Sequence, residues 1–288
     1  MSEDNVPKIS FFASAIRPYL WQRLLDSLKG GKYKYEVIFA GFIDEALYKP
    51  IMELYPELKY IQTENIKPAQ AYEVARRGCK GELVCWTDDD HTFSEGFVDK
   101  VYDYWDESWQ LCSYKKILTT EYIEKETEEN IGNYRFYARN LNTPQMPLVG
   151  IMNREYLDSL GGIDSRYIIA RWNCDIAMRT LADDGKVIVF KDVCATLDSK
   201  NKNGLYNNFW SGWNEDSEQI ENSWVIGGYK RFPDPLLVID KNKQPYWHVP
   251  ISNQEVTLKR NDEFVPFKDK DILKISQKPV GTWFSQFG

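Results

Sequence analysis

A chain of 288 residues with 43% hydrophobic and 27% charged content carries enough apolar surface for one large α/β domain and a smaller addition, but not for two full domains. Its 43 acidic against 36 basic residues leave a net charge of −7, which excludes attachment to nucleic-acid backbones or anionic membranes by charge. No apolar run reaches the length of a transmembrane helix, and residues 1–7 are too polar for a signal peptide, so the expectation is a soluble, cytoplasmic protein without a membrane span.

Residues 8–13 (KISFFA) read as a buried strand, and residues 18–28 place Leu20, Leu24, Leu25 and Leu28 at helical spacing before Gly30 and Gly31. A second strand follows over 35–42 and a helix over 45–54, stopped before Pro56. Residues 60–62 form a short third strand. Pro68 then opens a helix whose Ala71, Ala75 and Cys79 make a buried stripe. Residues 82–87 (ELVCWT) are a fourth strand that runs directly into Asp88-Asp89-Asp90. Strand and helix alternating in this way predict a mostly parallel, Rossmann-like sheet flanked by helices.

Further strands are expected over 110–120, 145–151 and 186–190, with helices over 153–160 and 175–182. Residues 121–130 are acidic and read as a solvated helix or loop. Residues 198–224 are rich in Asn, Gly, Ser and Trp without clear periodicity, which suggests a lid or wall beside a site. The expected division is a catalytic domain over 1–235 and a C-terminal appendage over 236–288. Five cysteines, odd in number and widely spaced, do not make a disulfide framework or a zinc site.

The chemistry lies in the acidic triplet. Ligands in open α/β sheets sit at the carboxyl ends of strands, and carboxylates gathered there suit a hard divalent cation, Mg²⁺ or Mn²⁺, shared with substrate phosphates. Asp88 and Asp90 are two apart, so on extended backbone they share a side and Asp89 faces away.

The run 60–78 (YIQTENIKPAQAYEVARRG) with 80–90 (KGELVCWTDDD) resembles the family-2 glycosyltransferases, in which such a helix and strand lead into a DxD-type motif. Residues 8–17 (KISFFASAIR) look like their first strand and nucleotide-contacting loop. Residues 150–154, 161–164 and 172–179 (WNCDIAMR) resemble their acceptor-side segments. The resemblance implies a GT-A fold and a hexosyltransferase-like enzyme of glycan or polysaccharide synthesis. It also implies a divalent metal, a nucleotide-diphosphate-sugar donor, a hydroxyl acceptor such as a glycan, and inversion at the anomeric carbon.

On that basis Asp88 and Asp90 are the expected metal ligands, with His248 a further candidate and His91 a lesser one. Ser14, Arg17, Lys67, Asp88 and Asp89 are expected to contact the nucleotide sugar. Asp175, paired at i,i+4 with Arg179, is the expected general base, with Asp164 its competitor.

Two positions depart from the pattern. Gly41-Phe42 stands where the family has an acid after the second strand, with Asp44 further on. Trp172-Asn173 stands where a Glu-Asp pair supplies the base. Two alternatives therefore stay open: a carbohydrate-binding or scaffolding protein with a degenerate transferase fold, and a nucleotidyltransferase. The second would be expected to carry a Gly-rich basic loop after the first strand, which residues 13–17 are not.

Overall fold

A computed structural model describes residues 6–64, 66–107, 114–124, 148–197, 209–227, 237–239, 245–247, 257–269 and 272. The first half follows the sequence pattern closely. Strands β1 (Ile9–Ser14), β2 (Tyr35–Gly41), β3 (Leu58–Gln62) and β4 (Leu83–Trp86) alternate with helices α1 (Pro18–Ser27), α2 (Glu45–Leu54) and α3 (Pro68–Arg77). All of β4, and all but an end residue of β1 and β2, is buried, as strands covered on both faces must be. Pro18 and Pro68 stand at the starts of α1 and α3, where the missing N–H leaves no bond unmade.

The second half adds β5 (His91–Phe93), α4 (Phe97–Glu107), β6 (Lys116–Glu124), β7 (Gly150–Asn153), α5 (Arg154–Ser159), α6 (Trp172–Ala182), β8 (Lys186–Leu197), α7 (Phe209–Ser223), β9 (Trp224–Gly227), β10 (Leu237–Ile239), β11 (Pro245–Trp247) and β12 (Thr257–Arg260). Ten strands make one sheet in the order β11-β10-β8-β6-β7-β4-β1-β2-β3, with β5 paired to β8. The β3-β2-β1-β4 stretch is parallel throughout, and β7 is antiparallel to both β4 and β6. Chain order reverses between β1 and β4, so the crevice at their carboxyl ends is the place where such a sheet receives a ligand.

Several expectations change. Residues 121–124 are not a solvated helix or loop: they extend β6, which pairs parallel with β8 as far as Glu124 opposite Leu197. The aperiodic stretch 198–224 contains a helix, α7, and its residues 198–208 lie outside the described ones. β10 pairs parallel with β8, β12 pairs with β9, and Phe267 is buried in the main core.

One glycine fixes the packing beneath the site. A Cβ on Gly150 would lie 2.0 Å from the ring of Trp86, so the fully buried indole that ends β4 fits only because β7 opens with glycine.

Candidate active site

The acidic triplet leaves β4 as a turn, with the Asp88 carbonyl accepting from the His91 N–H at 3.3 Å. The turn separates the three carboxylates by role. Asp88 keeps 47% of its side chain exposed, Asp90 13% and Asp89 2%.

Asp89 points into the β1–α1 loop. Its Oδ2 accepts from the backbone N–H groups of Ile16 and Arg17, both at 2.9 Å, and from Trp21 Nε1 at 3.3 Å. Its Oδ1 accepts from Arg17 Nε at 2.8 Å and from the Arg17 Nη2. With both oxygens taken, Asp89 ties the β1–α1 loop to the β4–β5 turn.

Asp90 lies on the other side of the turn. Arg17 Nη1 donates to its Oδ2 at 2.7 Å, while its Oδ1 is buried and has no hydrogen-bond partner among the described residues. Burial raises the Asp90 pKa above the ordinary carboxylate value. Arg17 and His91 pull it back, and Asp88 and Asp89 push it further up. For Arg17, burial works against the charge, but Asp89 and Asp90 outweigh it and raise its pKa. The cluster is thus short of positive charge at one defined oxygen.

Asp88 is held by two neighbours that sequence reading missed or set aside. The Tyr72 hydroxyl, from α3, donates to Asp88 Oδ1. His91 Nδ1 accepts from the Asp88 backbone N–H at 3.2 Å and lies 2.9 Å from Thr87 Oγ1. In the neutral ring that pattern places the proton on Nε2, which faces Asp88 Oδ2 at 3.5 Å. Ligand atoms of Asp88, Asp90 and His91 all lie within 4.8 Å of one another. The residues present fit a divalent cation, with an orphaned Asp90 oxygen and a half-exposed Asp88 converging, and with His91 and Tyr72 aligning the latter. No signal in the sequence marked Tyr72: it sits on the helix face that reads as core.

Ser14 closes β1, half-buried, opposite Ala40 of β2. Lys67 caps the start of α3 by position; burial raises the pKa of nearby Asp216, and backbone donors and the Lys67 charge only partly pull it back. His248 lies outside the described residues.

Asp175 is where the structure departs most from expectation. Trp172, at the start of α6, packs its ring 4.7 Å from that of Tyr72, so the helix does begin beside the acidic turn. Asp175 is one turn in and fully buried. Its Oδ2 accepts from Arg179 Nε at 2.8 Å; its Oδ1 accepts from Trp224 Nε1 at 2.9 Å and Arg260 Nη1 at 3.1 Å. A carboxylate enclosed by two arginines and an indole has both oxygens engaged, and in this structure Asp175 serves as an ion-pair anchor. Asp164 is no substitute, being fully buried against Arg166 and Arg260 at 2.7 and 2.6 Å.

The architecture has known counterparts. It is similar to S. aureus TarS 1–349, with a TM-score of 0.53 and 17% identity over 75% of this chain and 66% of that one. The same TarS fragment in complex with UDP-GlcNAc gives 0.53 and 17%, over 75% and 67%. A mannosyltransferase, PcManGT from Pyrobaculum calidifontis, in complex with GDP-Man and Mn²⁺, gives 0.51 and 17%, over 69% and 59%. The fold is theirs. At this identity the likeness is one of fold alone, and the chain spans about two thirds or less of the length of each. It makes the α/β, GT-A-type architecture expected from the sequence the one observed. No family model and no curated protein matches the chain.

Proposed function

We propose that this chain is a metal-dependent glycosyltransferase. It takes a hexose from a nucleotide-diphosphate sugar to a hydroxyl of a glycan or similar acceptor, using Mn²⁺ or Mg²⁺ at Asp88 and Asp90. The observation that carries the reading is the buried Oδ1 of Asp90, without a hydrogen-bond partner among the described residues, beside half-exposed Asp88 where strand order reverses. The solved structures of this fold bound to UDP-GlcNAc, or to GDP-Man and Mn²⁺, lend support.

A bound divalent cation supplies Lewis-acid stabilisation of the departing diphosphate. The protein's own part is positional. Arg17 orients Asp90, Tyr72 and His91 orient Asp88, and Asp89 fastens the loop that follows Ser14 and carries Arg17 beside them. Inversion, which the family resemblance implies, then asks for a proton acceptor other than Asp175 or Asp164.

A second reading has an observation in its favour. With both acceptor-side acids locked to arginines and Asn173 at the start of α6, a donor-binding protein without turnover fits the same geometry. Incubating the full chain with UDP- and GDP-sugars, with Mn²⁺ or with EDTA, separates the two. Metal-dependent release of nucleotide supports the transferase, and metal-dependent binding without release supports the binding protein. Nucleotide release that EDTA leaves unchanged contradicts the metal site.

A further inference from the structure

Beyond the metal and diphosphate end of the site, the β2–α2 loop carries a feature that no acid explains. Phe42 is 48% exposed, the one exposed phenylalanine among the residues whose side chains are described. Its exposure does not come from a slack loop. On one side the Ala40 carbonyl accepts from Ala15 N at 2.9 Å and the Gly41 carbonyl from Thr63 N at 2.8 Å. On the other the Ile43 carbonyl accepts from Gln62 Nε2 at 2.9 Å. Gly41 lies so close to the β1–α1 loop that a Cβ there would sit 2.4 Å from the Ala15 carbonyl oxygen. The backbone holding Phe42 is therefore pinned to both neighbouring loops, with the ring turned out.

The polar groups of the same loop are already engaged. Asp44 accepts from Ala46 N at 2.9 Å as the N-cap of α2, and Glu45 pairs with Lys49 at 2.8 Å. Phe42 follows β2, whereas Asp88 and Asp90 follow β4, and β1 lies between them. Two strand spacings are about 10 Å, which is the reach of a nucleoside from its diphosphate to its base.

We propose that Phe42 is the platform on which the donor's nucleobase stacks, and that the base is held there by its face and not read by its edge. The inference rests on the nucleotide-sugar reading above. A π-face is common to every base, so stacking on a fixed ring tolerates uracil, guanine and adenine alike. The chain thereby accepts nucleoside diphosphates of more than one base, with purines favoured modestly by their larger face.

The test is calorimetric titration of the full chain with UDP, GDP and ADP, each with saturating Mn²⁺, for the wild type, Phe42→Ala and Phe42→Trp. Wild-type affinities are expected to lie within about tenfold of one another. Phe42→Ala is expected to weaken all of them by roughly five- to a hundredfold, and Phe42→Trp to retain them. A Phe42→Ala loss smaller than twofold overturns the proposal. So does a preference above tenfold for one base that survives Phe42→Ala, which would move base reading to a polar group such as Glu64 of the adjoining loop. If no diphosphate binds the wild type with Mn²⁺ at all, the nucleotide-sugar reading itself has failed, and the proposal falls with it.

Discussion

At the scale of single residues, the acids of this protein divide into those that face a ligand and those that fasten the chain. Tyr72→Phe removes the hydrogen bond to Asp88 Oδ1 without changing the ring that packs on Trp172. It is expected to weaken Mn²⁺-dependent nucleotide binding by about 10- to 100-fold, the usual effect of losing a group that aligns a metal ligand. Titration calorimetry with Mn²⁺ and UDP checks this. Asp175→Asn is expected to act on stability. It leaves buried Arg179 and part-buried Arg260 without their shared counter-charge, so unfolding free energy should fall by about 3 kcal/mol or more in urea titrations. A variant of wild-type stability and lost turnover would instead restore Asp175 as a catalytic group. Sequence spacing placed Asp88 and Asp90 together, and it read Asp175 and Arg179 as a pair. It could not show that Arg260, 85 residues away along the chain, closes over the same carboxylate.

Among the elements, the segment around β12 is tied to the rest by a network of charges. Arg260 spans Asp164, Asp175 and Asp262, and Phe264 packs against Arg179 and Arg260. Burial works to raise the pKa of Asp262, but hydrogen bonds from Arg166, Ser223 and Arg260 hold it down to about 2, against an ordinary 3.8. The folded chain thus binds this proton less readily than the unfolded chain. The stabilisation is complete above pH 4 or so and is lost as pH falls toward about 2. Asp164, also lowered, acts in the same direction. Wild type is expected to exceed Asp262→Asn in urea midpoint above about pH 4, with the gap closing toward pH 2; a gap that is constant with pH would contradict the assignment. Gly150→Ala is expected to lower stability by about 1–3 kcal/mol in the same assay, since the added methyl overlaps the Trp86 ring.

The elements also show where sequence reading stops. β1 through β4 were legible because continuous apolar runs and alanine stripes report burial directly. α7 was not, although it has a helical buried stripe, because that stripe is Gly212, Asp216, Ile220 and Ser223, which carries a single apolar side chain of any size. Asp216 is buried to accept from the backbone N–H groups of Ile168, Ile169 and Ala170, each at 2.7 Å, a tertiary partnership that periodicity cannot register.

For the whole molecule, the parallel β3-β2-β1-β4 sheet brings the β1–α1 loop and the β4–β5 turn together at its carboxyl ends, and Asp89 locks the two. The central claim is that Asp88 and Asp90 hold a divalent cation through which a nucleoside diphosphate binds. Thermal unfolding of the full chain with Mn²⁺ alone, with UDP or GDP alone, and with both, for wild type and Asp90→Ala, tests it most directly. A ligand that binds only the folded state raises the midpoint in proportion to its occupancy. A clear upward shift is expected when metal and nucleotide are present together, little with the nucleotide alone, and none for the pair in Asp90→Ala. An equal nucleotide shift without metal, or an undiminished shift for the pair in the variant, would contradict it.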